Sequence, residues 1–241
     1  MHEIGRPSFL SAVAGFFHWK WDKKTPEIQY QAYTDYALNT NSKGGDACED
    51  AYDVCTRIFN QIMSIACDLN YYDNKKKCQG DLCYDFSAVE TSLNLKSVRD
   101  ALGVGNRDFV SCSSTVYYAM VTDWMRNYEV GIPALLEVGI RLLVYAGDYD
   151  LICNWIGNSN WVHAMAWSGQ KEFGAAPMVP FVIDGVETGQ LKSHGPLSFL
   201  KVHNAGHMVP MDQLKASLQM LQNWMQGKLT PSKAADKVSP K

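Results

Sequence analysis

The sequence carries little net charge and no long apolar run. Its 22 basic and 25 acidic residues leave a formal charge of −3. No basic surplus therefore marks a face for nucleic-acid phosphates. No apolar stretch approaches the roughly 18 residues of a membrane span. No Cys-x-x-Cys pair announces a zinc site. There is no Asn-x-Ser/Thr sequon, no internal repeat and no motif calling for a cofactor. Disorder is excluded by the apolar content, 46% of the chain. At 241 residues the chain can bury a sizeable core in one or two domains.

What is present includes seven cysteines: Cys48, Cys55, Cys67, Cys78, Cys83, Cys112 and Cys153. Disulfides, free thiols and a metal are the alternatives. Cys78-Gln-Gly-Asp-Leu-Cys83 steps through a glycine turn, which suits a small disulfide loop. An odd count leaves at least one thiol unpaired within the chain. Disulfides imply an oxidising compartment, yet the first residues show no apolar core of a signal peptide. A missing N-terminal part would reconcile the two.

Residues 1–24 read as an atypical terminal segment around His18-Trp-Lys-Trp-Asp. A helix is expected after Pro26, with Tyr30, Tyr33, Ala37 and Leu38 on one face. A second covers Cys48 to Ala66, with a stripe of Ala51, Val54, Cys55, Ile58, Ile62 and Ile65. Cys48 and Cys55 lie about 10 Å apart along such a helix, too far to bridge each other. Asn70–Tyr84 reads as a loop whose run Lys75-Lys76-Lys77 is a solvated face. Short helices follow around Asn94, over Thr115–Tyr128 and over Ile132–Glu137.

Ile140–Tyr145 then reads as a buried strand of a parallel sheet. Trp155–Trp167 is a helix, and Pro177–Gly189 a hairpin turning at Asp184-Gly185. Leu197–His203 is a further strand. Asp212 is expected to cap a helix bearing Leu214, Leu218, Leu221 and Met225. Residues 229–241 read as a disordered tail. The whole is α/β, with a mainly helical insertion at about 40–130 in a domain spanning 25–228.

Two strand-end loops carry the candidate chemistry, Gly147-Asp-Tyr-Asp-Leu-Ile-Cys-Asn154 and Asn204-Ala-Gly-His-Met-Val-Pro210. Ligands gather at the carboxyl ends of strands in an open α/β sheet. An Asp there and a His on a later strand end can form the base half of a nucleophilic triad. The order Asp150 then His207 is that of α/β-hydrolases. Either loop alone is also ordinary turn chemistry. No serine sits in the Gly-x-Ser-x-Gly frame that a nucleophile elbow needs.

Leu142–Trp155 and His203–Asp212 closely resemble the Asp and His blocks of the serine carboxypeptidases (family S10). Lys77–Tyr84 and Phe109–Pro133 are similar to the plant type III branch. The resemblance runs from about Pro26 to Gln226 and corresponds to roughly the C-terminal half of that family's domain. It implies the C-terminal portion of an α/β-hydrolase fold, a mostly parallel sheet with flanking helices. It implies that Asp150 is the triad acid, His207 the general base, and Asp148 a turn residue. Cys153, a buried free thiol, and Met208 would line the substrate pocket. Cys78 and Cys83 match a local disulfide of the family. Cys48, Cys55 and Cys112 match cysteines whose usual partners come from segments outside this sequence.

The family reaction is release of C-terminal residues from peptides, in vacuolar or secretory compartments, with no cofactor. Its Gly-Glu-Ser-Tyr-Ala-Gly nucleophile block is not found here. Two expectations follow. The chain is the C-terminal part of a serine carboxypeptidase, acting on peptide C-termini with a missing N-terminal half. Alternatively it is an inactive relative serving as an interaction module, or with no function of its own.

Overall fold

The computed structural model describes residues 46–80, 82–124 and 128–229. The segment 1–24 and the helix expected after Pro26 lie outside them.

The first part is helical. Helix α1 (Asp46–Ala66) is followed by α2 (Ser87–Leu93), α3 (Lys96–Leu102), α4 (Ser114–Ala119) and α5 (Val121–Trp124). A 3-10 turn (Glu129–Gly131) leads into α6 (Ile132–Glu137). Cys55 and Ile62 of the α1 stripe are buried, whereas Ile65 at its end is exposed. Gly103 ends α3 with φ +68°, a left-handed cap that glycine adopts without a Cβ clash.

The sheet follows. It contains β1 (Leu142–Gly147), β2 (Val179–Ile183), β3 (Val186–His194) and β4 (Leu197–Val202), in the order β1-β4-β3-β2. Between β1 and β2 come α7 (Trp155–Ala164) and α8 (Gln170–Ala175); after β4 come α9 (Val209–Asp212) and α10 (Leu214–Met225). Strands β1 and β4 run parallel, with Leu142 opposite Leu197 and Gly147 opposite Val202. The other two pairings are antiparallel, so among the described residues the sheet is mixed rather than mostly parallel. Asp184 and Gly185 turn the β2–β3 hairpin, both with positive φ, as a tight hairpin turn demands.

Each face of the sheet has its own core, because alternate side chains of a strand point to opposite sides. Leu200, Val202, Leu191, Phe181 and Ile183 pack with Val209 and Met220 on one face. Leu197, Phe199 and Val144 pack with Leu136, Trp161, Val162 and Phe173 on the other. Leu229, placed at the start of the expected tail, is instead buried in the first core.

Two expectations about helix α10 are corrected. Leu214, Leu218, Leu221 and Met225, the stripe expected to face the core, are exposed; Ala216, Ser217 and Met220 are buried instead. Met220, with Trp224 beside it, supplies the apolar contact to the first core. Asp212 does not cap this helix: Gln213 stands at that position without a side-chain cap bond. The expected buried strand is also only partly so. Val144 and Ala146 are buried, while Tyr145 is exposed and Ile140, also exposed, lies before the strand begins.

Candidate active site

The parallel pairing of β1 and β4 brings the two strand-end loops together. The chain crossing there is close. A Cβ on Gly147 would meet the carbonyl oxygens of Ala205 and Gly206, so this position admits only glycine. The amide of Tyr149 donates to Ala205 O at 2.8 Å and that of Asp148 to Val202 O at 3.0 Å. The turn after β1 is thereby fixed to the loop after β4.

His207 Nδ1 stands 2.9 Å from Asp150 Oδ2. Asp150 is 5% exposed, and its other oxygen accepts the Cys153 amide at 3.0 Å. A carboxylate is acceptor-only, so in this contact the ring N–H at Nδ1 donates. Asp148 sits two residues earlier and faces a different ring, His203 Nδ1, at 3.2 Å. The second nitrogen of His203 lies 3.3 Å from Glu187 Oε1. Two imidazole–carboxylate pairs therefore stand side by side, and Asp150 belongs to His207.

Cys153 closes the Asp150 turn and remains a thiol. It is half-buried rather than fully buried as expected. It precedes α7, where the Asn154 side chain accepts the Gly157 amide at 2.8 Å, an N-cap bond. One donor atom each from Asp150, Cys153 and His207 lies within 4.8 Å of both others. Met208 is half-buried at the start of α9. Cys78 and Cys83 form a disulfide. Cys67 and Cys112 are exposed thiols, and Cys55 is buried in α1.

A third segment completes the site, and the sequence did not announce it. The loop Asn70–Asn74 ties both strand-end loops through its backbone. Tyr71 O accepts the amides of Leu151 and Ile152, both at 3.1 Å, and Tyr72 O accepts that of His207 at 2.7 Å. Asn74 donates to Tyr149 O at 2.9 Å. The loop is held by buried Asn70, whose Oδ1 accepts the amides of Tyr72 and Asp73. The Tyr72 ring lies 5.0 Å from the His207 ring. Gly206 is pressed against this loop: a Cβ there would meet Tyr72 O and Asp73.

Lys75, Lys76 and Lys77 are exposed, as read from the run, and Lys76 is in addition a clasp. Its ammonium is 2.8 Å from both Asp212 and Asp73. The bond to Asp212, then that to Asp73, holds it above the usual lysine range. Asp212 also accepts the Gly206 amide at 2.8 Å. Its role is thus to brace the His207 loop rather than to cap α10. Tyr84 stands beside Tyr72, ring centroids 5.5 Å apart, and burial raises its phenol above the ordinary range. The adjacent tyrosines Tyr71 and Tyr72 were the available sequence signal, because tyrosine is more often buried than the charged residues around it.

A mixed sheet with flanking helices, bearing a buried carboxylate and an imidazole at adjoining strand ends, defines an α/β-hydrolase-type fold. The solved structure of Kex1(delta)p, a prohormone-processing carboxypeptidase from Saccharomyces cerevisiae, shares it with a TM-score of 0.67. The match covers 92% of this chain and 52% of that one at 23% identity. Residues 16–227 match the family model described as serine carboxypeptidase, and the chain belongs to that family. It is 60% identical over 232 residues to serine carboxypeptidase-like 48 of Arabidopsis thaliana, covering 85% of this chain and 46% of that protein. It is 58% identical over 229 residues to serine carboxypeptidase 3 of Oryza sativa, again covering 85% and 46%. The chain spans about half the length of these relatives. A serine carboxypeptidase-like protein of Pisum sativum, 56% identical, is covered over 82% of its length.

Proposed function

We propose that this chain supplies the acid–base half of a serine carboxypeptidase, with His207 as general base and Asp150 as the carboxylate that orients it. The observation that carries this reading is the 2.9 Å contact between His207 Nδ1 and buried Asp150. In the reaction, a serine Oγ attacks the scissile carbonyl and its proton passes to His207 Nε2. The tetrahedral intermediate collapses as His207 returns that proton to the leaving amine, giving an acyl-enzyme. Water, deprotonated by His207, then releases the acid and restores the serine. Asp150 remains ionised and stabilises the imidazolium in both steps. Cys153 and Met208 line the pocket beside His207. The serine, the oxyanion donors and the substrate-carboxylate groups come from a partner segment outside this sequence. The substrates are peptide or protein C-termini, and the location is vacuolar or secreted, which the Cys78–Cys83 disulfide supports.

The test joins this chain to the N-terminal segment of rice serine carboxypeptidase 3 that precedes the matched region. Release of the C-terminal residue from a blocked dipeptide is expected, falling by about 10⁴-fold in Asp150→Asn, as for triad acids generally. Activity unaffected by both His207→Ala and Asp150→Asn would overturn the reading. The second reading, a catalytically silent interaction module, takes as its motive that no Gly-Glu-Ser-Tyr-Ala-Gly block occurs among the 241 residues. On either reading, a serine-reactive phosphonate should not label this chain alone.

A further inference from the structure

We infer that Asp150, Cys153 and His207 form a binding site for a thiophilic divalent cation, Zn²⁺, which would hold the site in an inactive state. The effect on catalysis rests on the proposed role of His207; the binding does not.

The three side chains supply one carboxylate, one thiol and one imidazole, the ligand types zinc prefers. Their donor atoms lie within 4.8 Å of one another. Zinc bonds of about 2.0–2.3 Å set ligand–ligand edges of about 3.3–3.6 Å in a tetrahedron. The His207 Nδ1–Asp150 Oδ2 separation of 2.9 Å is a hydrogen-bond distance and must open by about 0.5 Å to become such an edge. The separations of the Cys153 sulfur from the other two donors, at most 4.8 Å, must close to about 3.6 Å, within reach of a side-chain rotation. The Asp150 turn presents both residues to one side, because the Cys153 amide bonds Asp150 Oδ1.

The surroundings suit a cation as well. Asp150 is 5% exposed, so its charge meets little competing water. The two loops are held by backbone bonds to the Asn70–Asn74 segment, so little ordering remains to be done on binding. Three protein ligands leave a fourth position for water or a substrate carboxylate, the open arrangement of accessible zinc sites. The His207 side chain, 22% exposed, provides the way in.

The proton count is simple. The cation displaces the thiol proton to solvent, giving thiolate, while the carboxylate is already ionised. A cation on imidazole Nδ1 moves the ring proton to Nε2; one on Nε2 occupies that lone pair. In both cases His207 can no longer accept a proton at Nε2. Binding is therefore weaker in acid, where the thiol keeps its proton.

The test titrates the purified chain with Co²⁺, a spectroscopic substitute for zinc. A thiolate-to-cobalt charge-transfer band in the near ultraviolet is expected at one equivalent, abolished by stoichiometric Zn²⁺. Cys153→Ser should erase the band, and Asp150→Asn should weaken binding at least tenfold. Cys67→Ser and Cys112→Ser should leave it unchanged. Circular dichroism shows that each variant is folded. Isothermal titration of the unmodified chain with Zn²⁺ supplies a readout free of substitutions, with one site and about one proton released. No band in the unmodified chain, or a band that survives Cys153→Ser, overturns the site. Loss of catalysis in the rejoined enzyme on adding Zn²⁺ tests the inhibitory consequence separately.

Discussion

Gly147 lies against the carbonyl oxygen of Ala205, leaving no room for a Cβ. The end of β1 and the His207 loop therefore cross backbone to backbone, and the Asp150–His207 contact depends on that crossing. Gly147→Ala must push the two loops apart. A loss of at least about 2 kcal/mol is expected, as for overpacked interiors, measured by urea unfolding. The low-field proton resonance of His207 Nδ1–H should disappear with it. A variant with an unchanged midpoint would show that the crossing has slack.

The Asn70–Asn74 loop should behave as part of the site although it carries no reacting group. Asn70 is 2% exposed and bonds two amides through Oδ1. Asn70→Ala leaves those buried donors unsatisfied, at a cost of about 1–3 kcal/mol. Hydrogen exchange at the His207 amide, which donates to Tyr72 O, should quicken more than exchange within β3. Lys77→Ala, at an exposed position three residues past the loop, is expected to stay within about 0.5 kcal/mol. Equal effects from both substitutions would argue against the clamp.

The corrected orientation of α10 can be tested against the core. Phe199 is 0% exposed, whereas Leu214 is 75% exposed. Phe199→Ala should cost about 3–5 kcal/mol and Leu214→Ala no more than about 0.5 kcal/mol. A large loss from Leu214→Ala in thermal or urea melts would return the leucine stripe to the core.

Glu137 gives a pH-dependent prediction. Its carboxylate accepts the Ser168 hydroxyl at 2.7 Å and the Ser168 amide at 2.6 Å, which holds it below the ordinary value of 4.5. The unfolded chain thus binds the proton more readily. The contribution is complete above about pH 5 and is lost as pH falls through the lowered folded value. Glu137→Gln should therefore lower the urea midpoint at pH 7, and the gap from the unmodified chain should narrow as pH falls below the ordinary value of 4.5. A gap that does not vary with pH would mean that the carboxylate charge plays no part.

The sequence by itself determined much of this protein. Strand and helix periodicity placed β1, β4, α1 and α7 to within a few residues, because burial of apolar side chains imprints its period on the chain. The Asp184-Gly185 hairpin turn was legible because positive φ selects those residues. The resemblance of Leu142–Trp155 and His203–Asp212 singled out Asp150, Cys153, His207 and Met208.

Only the tertiary structure decided the rest. Helix α10 is apolar on two faces, so its pattern could not say which one meets the sheet. The fold buries the face of Ala216, Ser217 and Met220, with Met220 in the core. Lys76 and Asp212 each looked local, as a solvated lysine and a helix cap. They meet across 136 positions of sequence, and no local rule encodes such a pairing. The same holds for the Asn70–Asn74 loop, whose link to Asp150 and His207 runs through backbone amides and carbonyls. Every residue type but proline carries both groups, so their pairing leaves no trace in the sequence and exists only once the chain has folded.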